Sequence, residues 1–227
     1  MSAVIVPWGT DNGPRERVWT RVRKLWEQTD CDLIVAADPL FGKVREAEYL
    51  VPDGPMWTNV HRFSVARAVN NAVRVAPPEY DKFVTFGADF LPCPTTVRWA
   101  ASELDRQPWT LLFDRGVDLD QARTDEFVDT GAVRGLRDFP HQIFTSPCVG
   151  PIAFSRATFE KVGGFDERYE GWGYEDVDLW YRLQRDTPRT AAQNYPGTPL
   201  VQFWHPTEHH DLSQANPNVR LFAETWG

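Results

Sequence analysis

The run from Gly171 to Leu183, GWGYEDVDLWYRL, packs glycines, aromatic rings and carboxylates into one short stretch. Glu175 and Asp176 are adjacent, and the spacing of Val177, Trp180 and Leu183 predicts a helix that starts near Glu175 with those three residues inward. Acids favour a helix N-terminus through the macrodipole, by roughly 0.3–1 kcal/mol each. That term accounts for the carboxylates, Asp178 included, and leaves the glycines and the ring unexplained. Gly163, Gly164, Gly171 and Gly173 permit positive φ and close backbone approach. Trp172 lies between two of them, which suits a ring displayed on a loop. The dipole is also expected to keep a carboxylate ionised at neutral pH, as a general base aimed at a hydroxyl must be.

Other reactive side chains fall just after apolar runs. Asp38 follows DLIVAA, Asp89 follows KFVTFGA, and His205 follows LVQFW. In an open α/β sheet such strand ends converge on one edge. An Asp at a strand end also makes an Asx turn, the plainer reading for any one of them. Three such ends, with the Glu175–Asp176 pair, favour a site. Asp89 and His205 form an oxygen-plus-imidazole pair suited to Mn²⁺ or Mg²⁺ shared with diphosphate oxygens. Packing of His205 beside Trp204 and Pro206 is the alternative. A zinc cluster of His205, Glu208, His209 and His210 does not match H-E-x-x-H spacing, and His209 and His210 read as a solvated loop. Arg15, Arg17, Arg62 and Arg67 are expected near the entrance of the same sheet edge, and Arg suits bidentate phosphate contacts. Arg15 reads as a salt-bridging residue on a solvated helix face, and spacing leaves Arg67 open between the two roles.

The elements that must position these groups are legible in part. Ala3–Pro7 is a short apolar strand, and Val18, Trp19, Val22, Leu25 and Trp26 form one helical stripe. Asp32–Ala37 is the next strand, so the chain opens β-α-β, the signature of a parallel sheet. Ser64 is placed to cap a helix carrying Val65, Val69, Ala72, Val73 and Ala76, stopped by Pro77–Pro78. Phe83–Phe86 is a third strand and Trp109–Phe113 a fourth, with a helix from Thr95 or Thr96 between them. Asp114–Asp138 reads as an acidic excursion without assigned elements. Ser155–Lys161 reads as a short helix closed by Gly163 and Gly164, and Leu200–Trp204 as a last strand before the histidine-rich loop. No linker is apparent. The fold class is α/β in one domain spanning 1–227.

Composition narrows the function classes. The 227 residues are 42% hydrophobic and 25% charged, enough for one sizeable core, and the formal charge of −8 argues against nucleic-acid wrapping. A few Arg can still hold a phosphate inside an acidic protein. AVIV is too short for a signal peptide or membrane span, so a cytoplasmic protein without a membrane span is expected. The widely spaced Cys31, Cys93 and Cys148 support neither a zinc ribbon nor a disulfide framework. The 10 Trp offer rings for packing or for stacking on a ligand.

The stretch VGGFDERYEGWGYEDVDLWYRL resembles the C-terminal motif of GT-A glycosyltransferases, as found in β-1,4-galactosyltransferases, chondroitin-polymerase-type enzymes and, more loosely, polypeptide N-acetylgalactosaminyltransferases. IVPW, LIVAAD, ARAVNNAV, FVTFGADFLPCP and FWHP follow in the order of that group, so the resemblance runs from Val4 to about Pro206. It implies a Rossmann-like, mostly parallel central sheet flanked by helices, with 1–90 as a nucleotide-binding half and 91–227 as an acceptor and catalytic half. It further implies an enzyme that moves a sugar from a nucleoside-diphosphate sugar, UDP-sugar favoured, to an acceptor hydroxyl on a protein, a glycan or a small molecule. Such an enzyme inverts the anomeric centre and depends on Mn²⁺ or Mg²⁺. Carried over by motif, Asp176 is the general base and Glu175 orients the acceptor. Trp172 and Tyr174 line the acceptor cleft, and Asp89 and His205 hold the metal. Pro7, Trp8, Asp38, Arg67 and Gly150 lie against the donor, with Asn70 in a supporting turn. The sequence departs from the group at Gly87, where D-x-D has its first acid. It departs again at Tyr174, where a glycine is common and where the larger residue is expected to narrow the sugar pocket. Gln202 stands where related bacterial and phage-type sequences often carry a second histidine. A non-catalytic sugar-nucleotide or glycan-binding protein of the same fold is the alternative function, and a metal-dependent hydrolase rests on the terminal histidines alone.

Overall fold

The computed structural model describes residues 1–8, 14–36, 63–134, 142–143, 150–171, 173–188, 199–206, 213 and 215–227. Its elements in chain order are β1 (Ser2–Pro7), α1 (Pro14–Trp26), β2 (Asp32–Ala36), α2 (Val65–Val75), β3 (Lys82–Thr85), α3 (Pro94–Glu103), β4 (Trp109–Leu111) and β5 (Arg115–Asp118). They continue with α4 (Gln121–Thr130), β6 (Gln142–Ile143), β7 (Ile152–Ser155), α5 (Arg156–Lys161), α6 (Glu175–Asp186), β8 (Leu200–Gln202) and α7 (Pro217–Trp226).

The central sheet has the order β2-β1-β3-β7-β4. β1 pairs in parallel with β2 and β3, while β7 runs antiparallel between β3 and β4. Four of the five strands therefore point the same way, which is the mostly parallel α/β sheet expected of the GT-A class. Side chains alternate across it with period two. Val4, Val6, Val35, Val84 and Ala153 pack on one face with Val18, Trp19, Val22 and Trp26 of α1 and Val97 and Ala100 of α3. Ala3, Ile5, Ile34, Phe83 and Phe154 pack on the other with Ala66, Val69 and Ala72 of α2, Phe159 of α5, and Leu179 and Leu183 of α6. Each large apolar side chain buried this way contributes on the order of 1.5–3 kcal/mol, which explains why both faces need helices.

A second sheet, β6-β5-β8, joins parallel β5 and β8. It falls partly in the acidic stretch read as an excursion: Asp114–Asp138 contains β5 and α4. Phe127 of α4 is fully buried and stacks on Phe203 with centroids 4.1 Å apart. Asp120 caps α4 by accepting from the Arg123 amide, and Gly131 closes it in the left-handed conformation.

Ser64 caps α2 as expected, its Oγ accepting from the Arg67 amide at 3.2 Å. On α6 the inward face differs from the expected one. Asp178, Leu179 and Leu183 are buried, whereas Val177 and Trp180 are half-buried. Asp178 does more than suit the helix N-terminus. Its Oδ2 accepts two bonds from Arg182, at 2.9 and 2.6 Å, and its Oδ1 accepts from Trp226 Nε1 at 2.8 Å. Arg182 also donates to the carbonyls of Val162 and Gly164, so the buried carboxylate is fully paired.

Candidate active site

Asp89 sits just beyond β3 and is 6% exposed. Backbone bonds weave this segment into β8: Phe203 N donates to Asp89 O and Leu91 N to Val201 O. β8 in turn delivers Gln202 and His205. His205 Nε2 lies 3.1 Å from Asp89 Oδ2, with Arg15 Nη2 at 3.5 Å and Gln202 Nε2 at 3.4 Å from the same oxygen. Burial would raise the Asp89 pKa. The hydrogen bond to His205 and the charge of Arg15 outweigh it and hold the carboxyl down to about 2. His205 Nδ1 is 3.0 Å from the Pro206 carbonyl, a contact that orients the ring and leaves Nε2 facing Asp89. The two groups expected to hold a metal thus converge, and their donor chemistry fits Mn²⁺ or Mg²⁺. Among the described residues no three His, Cys, Asp or Glu side chains come together as ligands. An ion on this pair would take its remaining oxygens from a ligand or water.

Gly87 follows from the same geometry. A Cβ there would lie 2.7 Å from Asp89 Oδ1 and 2.9 Å from the Phe90 ring. The first acid of D-x-D would therefore have to displace the Asp89 carboxylate or the Phe90 ring from these positions.

Glu175 and Asp176 open α6, as the sequence predicts. Asp176 Oδ1 accepts from the Val177 amide at 2.8 Å, and the Gly150 amide also bonds this carboxylate. Glu175 Oε2 is sealed from solvent without a hydrogen-bond partner among the described residues, which is costly unless it carries a proton or meets a ligand hydroxyl. At Glu175 burial overrides the ionisation that the helix dipole favours, while at Asp176 the same burial opposes the dipole. Burial raises both pKa values, and the neighbouring Asp176 charge raises that of Glu175 further, against opposing backbone hydrogen bonds. The buried amides offset only part of the lost hydration.

A stability consequence has a definite sign. A carboxyl whose folded pKa lies above its ordinary value stabilises fully below that ordinary value, and this contribution is lost as pH rises through the folded pKa. Glu175→Gln removes the penalty, worth about 1.4 kcal/mol per pKa unit. The variant is expected to match the parent near pH 4.5 and to melt several degrees higher at pH 8. Thermal denaturation across that range checks it, and equal melting temperatures at pH 8 would refute the raised pKa.

Gly150 links the two constellations. It has φ +77, and a Cβ there would lie 3.1 Å from the Phe90 ring and 3.4 Å from Leu200. Its amide reaches Asp176, while its α-carbon faces the residue next to Asp89. β7 makes this possible by running antiparallel to β3, with Val84 opposite Ala153, so its start lies at the β3 end that carries Asp89. Thr85 Oγ1 secures that junction, bonding the Ile152 amide at 3.1 Å and its carbonyl at 3.2 Å.

Other expected site residues fall as follows. Pro7 ends β1. Trp8 is 7% exposed and stacks on Trp19 with centroids 5.5 Å apart, so its ring serves packing. Arg67 is buried, and its Nη1 bonds Glu170 Oε1 at 2.6 Å. Asn70 bonds the Phe165 amide and carbonyl, both at 2.9 Å, and so supports the loop ahead of α6. Tyr174 adopts φ 72, the one left-handed non-glycine among the described residues, which is the physical reason a glycine suits that place. Its ring packs on Phe222 of α7 at 4.9 Å, so it is committed to docking that helix as well as bordering the site. Asp38 and Trp172 lie outside the described residues. The reading from sequence missed the partner of Arg15, which is Asp89 itself, and the placement of Gln202 between Asp89 and His205.

Known proteins share parts of this sequence and its fold. A family model described as the N-terminal domain of galactosyltransferase matches residues 135–198. Chondroitin synthase of Pasteurella multocida is 31% identical over 115 residues, 50% of this chain and 11% of that protein. Validoxylamine A glucosyltransferase of Streptomyces hygroscopicus subsp. jinggangensis is 44% identical over 43 residues, 18% of this chain and 10% of that protein. The chain thus spans about a tenth of the length of these two curated relatives. Among solved structures, glucosyl-3-phosphoglycerate synthase from Mycobacterium tuberculosis superposes with TM-score 0.54 at 17% identity, over 100% of this chain and 78% of that one. The fold is that of the GT-A glycosyltransferases. The sequence matches add a likeness to the galactosyltransferase group over residues 135–198.

Proposed function

We propose that the protein transfers a sugar from a UDP-sugar to an acceptor hydroxyl, with inversion, using Asp176 as general base. The observation that carries this reading is the arrangement about Gly150: a carboxylate pair on one side and the Asp89–His205 pair on the other. The matched relatives are named as a chondroitin synthase and a glucosyltransferase, and the M. tuberculosis enzyme was solved with Mn²⁺ and UDP, which supports the donor class.

Asp89 and His205 would hold a divalent ion, which when bound neutralises charge on the diphosphate. Asp176 accepts the proton of the acceptor hydroxyl as its oxygen bonds to the anomeric carbon. The bond from that carbon to the diphosphate oxygen breaks, and UDP leaves with the electron pair. Glu175, protonated by virtue of its raised pKa, donates to the acceptor and orients it. Its unpartnered Oε2 is where such a bond would form. The acceleration would come from holding both substrates in line.

Thermal-shift measurements with UDP, GDP and their sugars, with and without Mn²⁺, test this reading. UDP with Mn²⁺ is expected to raise the melting temperature, and a ligand at 100 times its Kd contributes about 2.7 kcal/mol. No shift with any nucleotide would overturn the proposal.

A further inference from the structure

We propose that Asn218 on α7 is a positioning residue that fixes the loop leading into Glu175 and Asp176, an assignment that rests on the glycosyltransferase reading of that pair. Asn218 is 2% exposed. Its Nδ2 donates to the carbonyls of Glu170 and Gly173, both at 3.0 Å, and its Oδ1 accepts from the Glu170 amide at 3.4 Å. One carboxamide thus meets three backbone groups that bracket residues 171 and 172. Two carbonyls and one amide require the mixed donor and acceptor set that an Asn side chain has.

The loop needs such a restraint. Gly173 and Tyr174 take φ 98 and 72 in succession, and the second is disfavoured for a residue with a side chain. Glu175 begins α6 directly after them. From the opposite side, Ser64 Oγ bonds the Tyr169 carbonyl at 2.9 Å, and the Gly171 amide bonds the Phe63 carbonyl at 2.9 Å. Those contacts hold the start of the loop, and Asn218 reaches its end at Gly173.

The helix that carries Asn218 is itself fixed. Asn216 Oδ1 caps it by accepting from the Asn218 amide at 2.9 Å, and Pro217 opens its first turn. Further along, Trp226 Nε1 bonds Asp178 Oδ1 at 2.8 Å, and Tyr181 packs against Phe222 and Trp226. α7 begins after residue 198, where the galactosyltransferase match ends. A segment outside that match therefore sets the entry to the carboxylate pair. A base must stand within hydrogen-bond reach of its hydroxyl, and a displacement of about 1 Å can cost about 100-fold in rate.

The test compares Asn218→Ala, Asn218→Asp and Trp226→Phe in the full chain. The probes are Mn²⁺ with UDP for binding, and UDP release from UDP-glucose and UDP-galactose with water as acceptor. Hydrogen exchange of residues 169–178 reads the loop directly. Asn218→Ala is expected to speed loop exchange and lower kcat for UDP release by about 10- to 100-fold, with the Kd for UDP within about twofold. Asn218→Asp keeps the acceptor oxygen but loses both donors, so it should behave alike. Trp226→Phe loosens α7 and should lower the melting temperature without that loss of kcat. If Asn218→Ala does not fold, Asn218→Ser replaces it. Parental exchange and kcat in the Asn218 variants would overturn the assignment, as would equal kcat losses in Trp226→Phe. A parent that neither binds nor releases UDP would instead overturn the glycosyltransferase reading, and loop exchange would still decide whether Asn218 holds the loop.

Discussion

Asp176→Asn is expected to lower kcat for sugar transfer by about 10²- to 10⁴-fold while Mn²⁺-dependent UDP binding stays within about twofold. The substitution preserves volume and leaves one acceptor oxygen for the Val177 and Gly150 amides that bond the carboxylate. It removes the proposed proton acceptor. It also removes a charge whose burial is unfavourable, since the Asp176 pKa is raised chiefly by burial. The variant should therefore melt no lower than the parent at neutral pH. That combination separates loss of chemistry from loss of fold. Asp89 and His205, on the other side of Gly150, are untouched, so nucleotide binding should persist. Transfer at the parental rate would show that Asp176 is not the base. A parent that binds UDP-sugar and transfers nothing to any hydroxyl would favour the non-catalytic binding protein instead.

How much of this was legible in the sequence depended on the range of the forces involved. β1, α1, β2, α2 and β3 were readable because local apolar spacing and the Ser64 cap specify them. β7 escaped notice. It is a four-residue run, IAFS, antiparallel between two strands far away in the chain, and periodicity cannot say where such a run pairs. α4 was hidden because only Thr124 and Phe127 of its residues are buried, too few to outline a stripe among acids. α7 carried visible signals in Asn216 and Pro217, but its inward residues Asn218 and Val219 do not read as an amphipathic face.

At the site, the carboxylates of Glu175 and Asp176 and the Asp89–His205 pair were all named by motif. Their electrostatics were not. The sequence offered a helix dipole that favours ionisation, but whether burial outweighs it depends on neighbours that only the fold supplies. Asp178 shows the same limit. It looked like one more N-terminal acid, and the fold makes it the shared acceptor of Arg182 and Trp226.

Asp89→Ala carries the other large expected effect, a loss of Mn²⁺-dependent UDP affinity of about 100-fold or more, with His205→Ala close behind. Both side chains are over nine-tenths buried and 3.1 Å apart, so neither can be replaced by a mobile surface group. Asp89 is the more critical of the two, because Arg15, Gln202 and His205 all face its Oδ2. Removing the carboxylate leaves those groups without their common acceptor. Isothermal titration with UDP in Mn²⁺ and in chelator measures the effect. Parental affinity in Asp89→Ala would place the metal elsewhere. The result would also bear on the shortened D-x-D. A side chain at Gly87 would press on the Asp89 carboxylate and the Phe90 ring, so restoring the first acid is expected to shift the pair it was meant to complete.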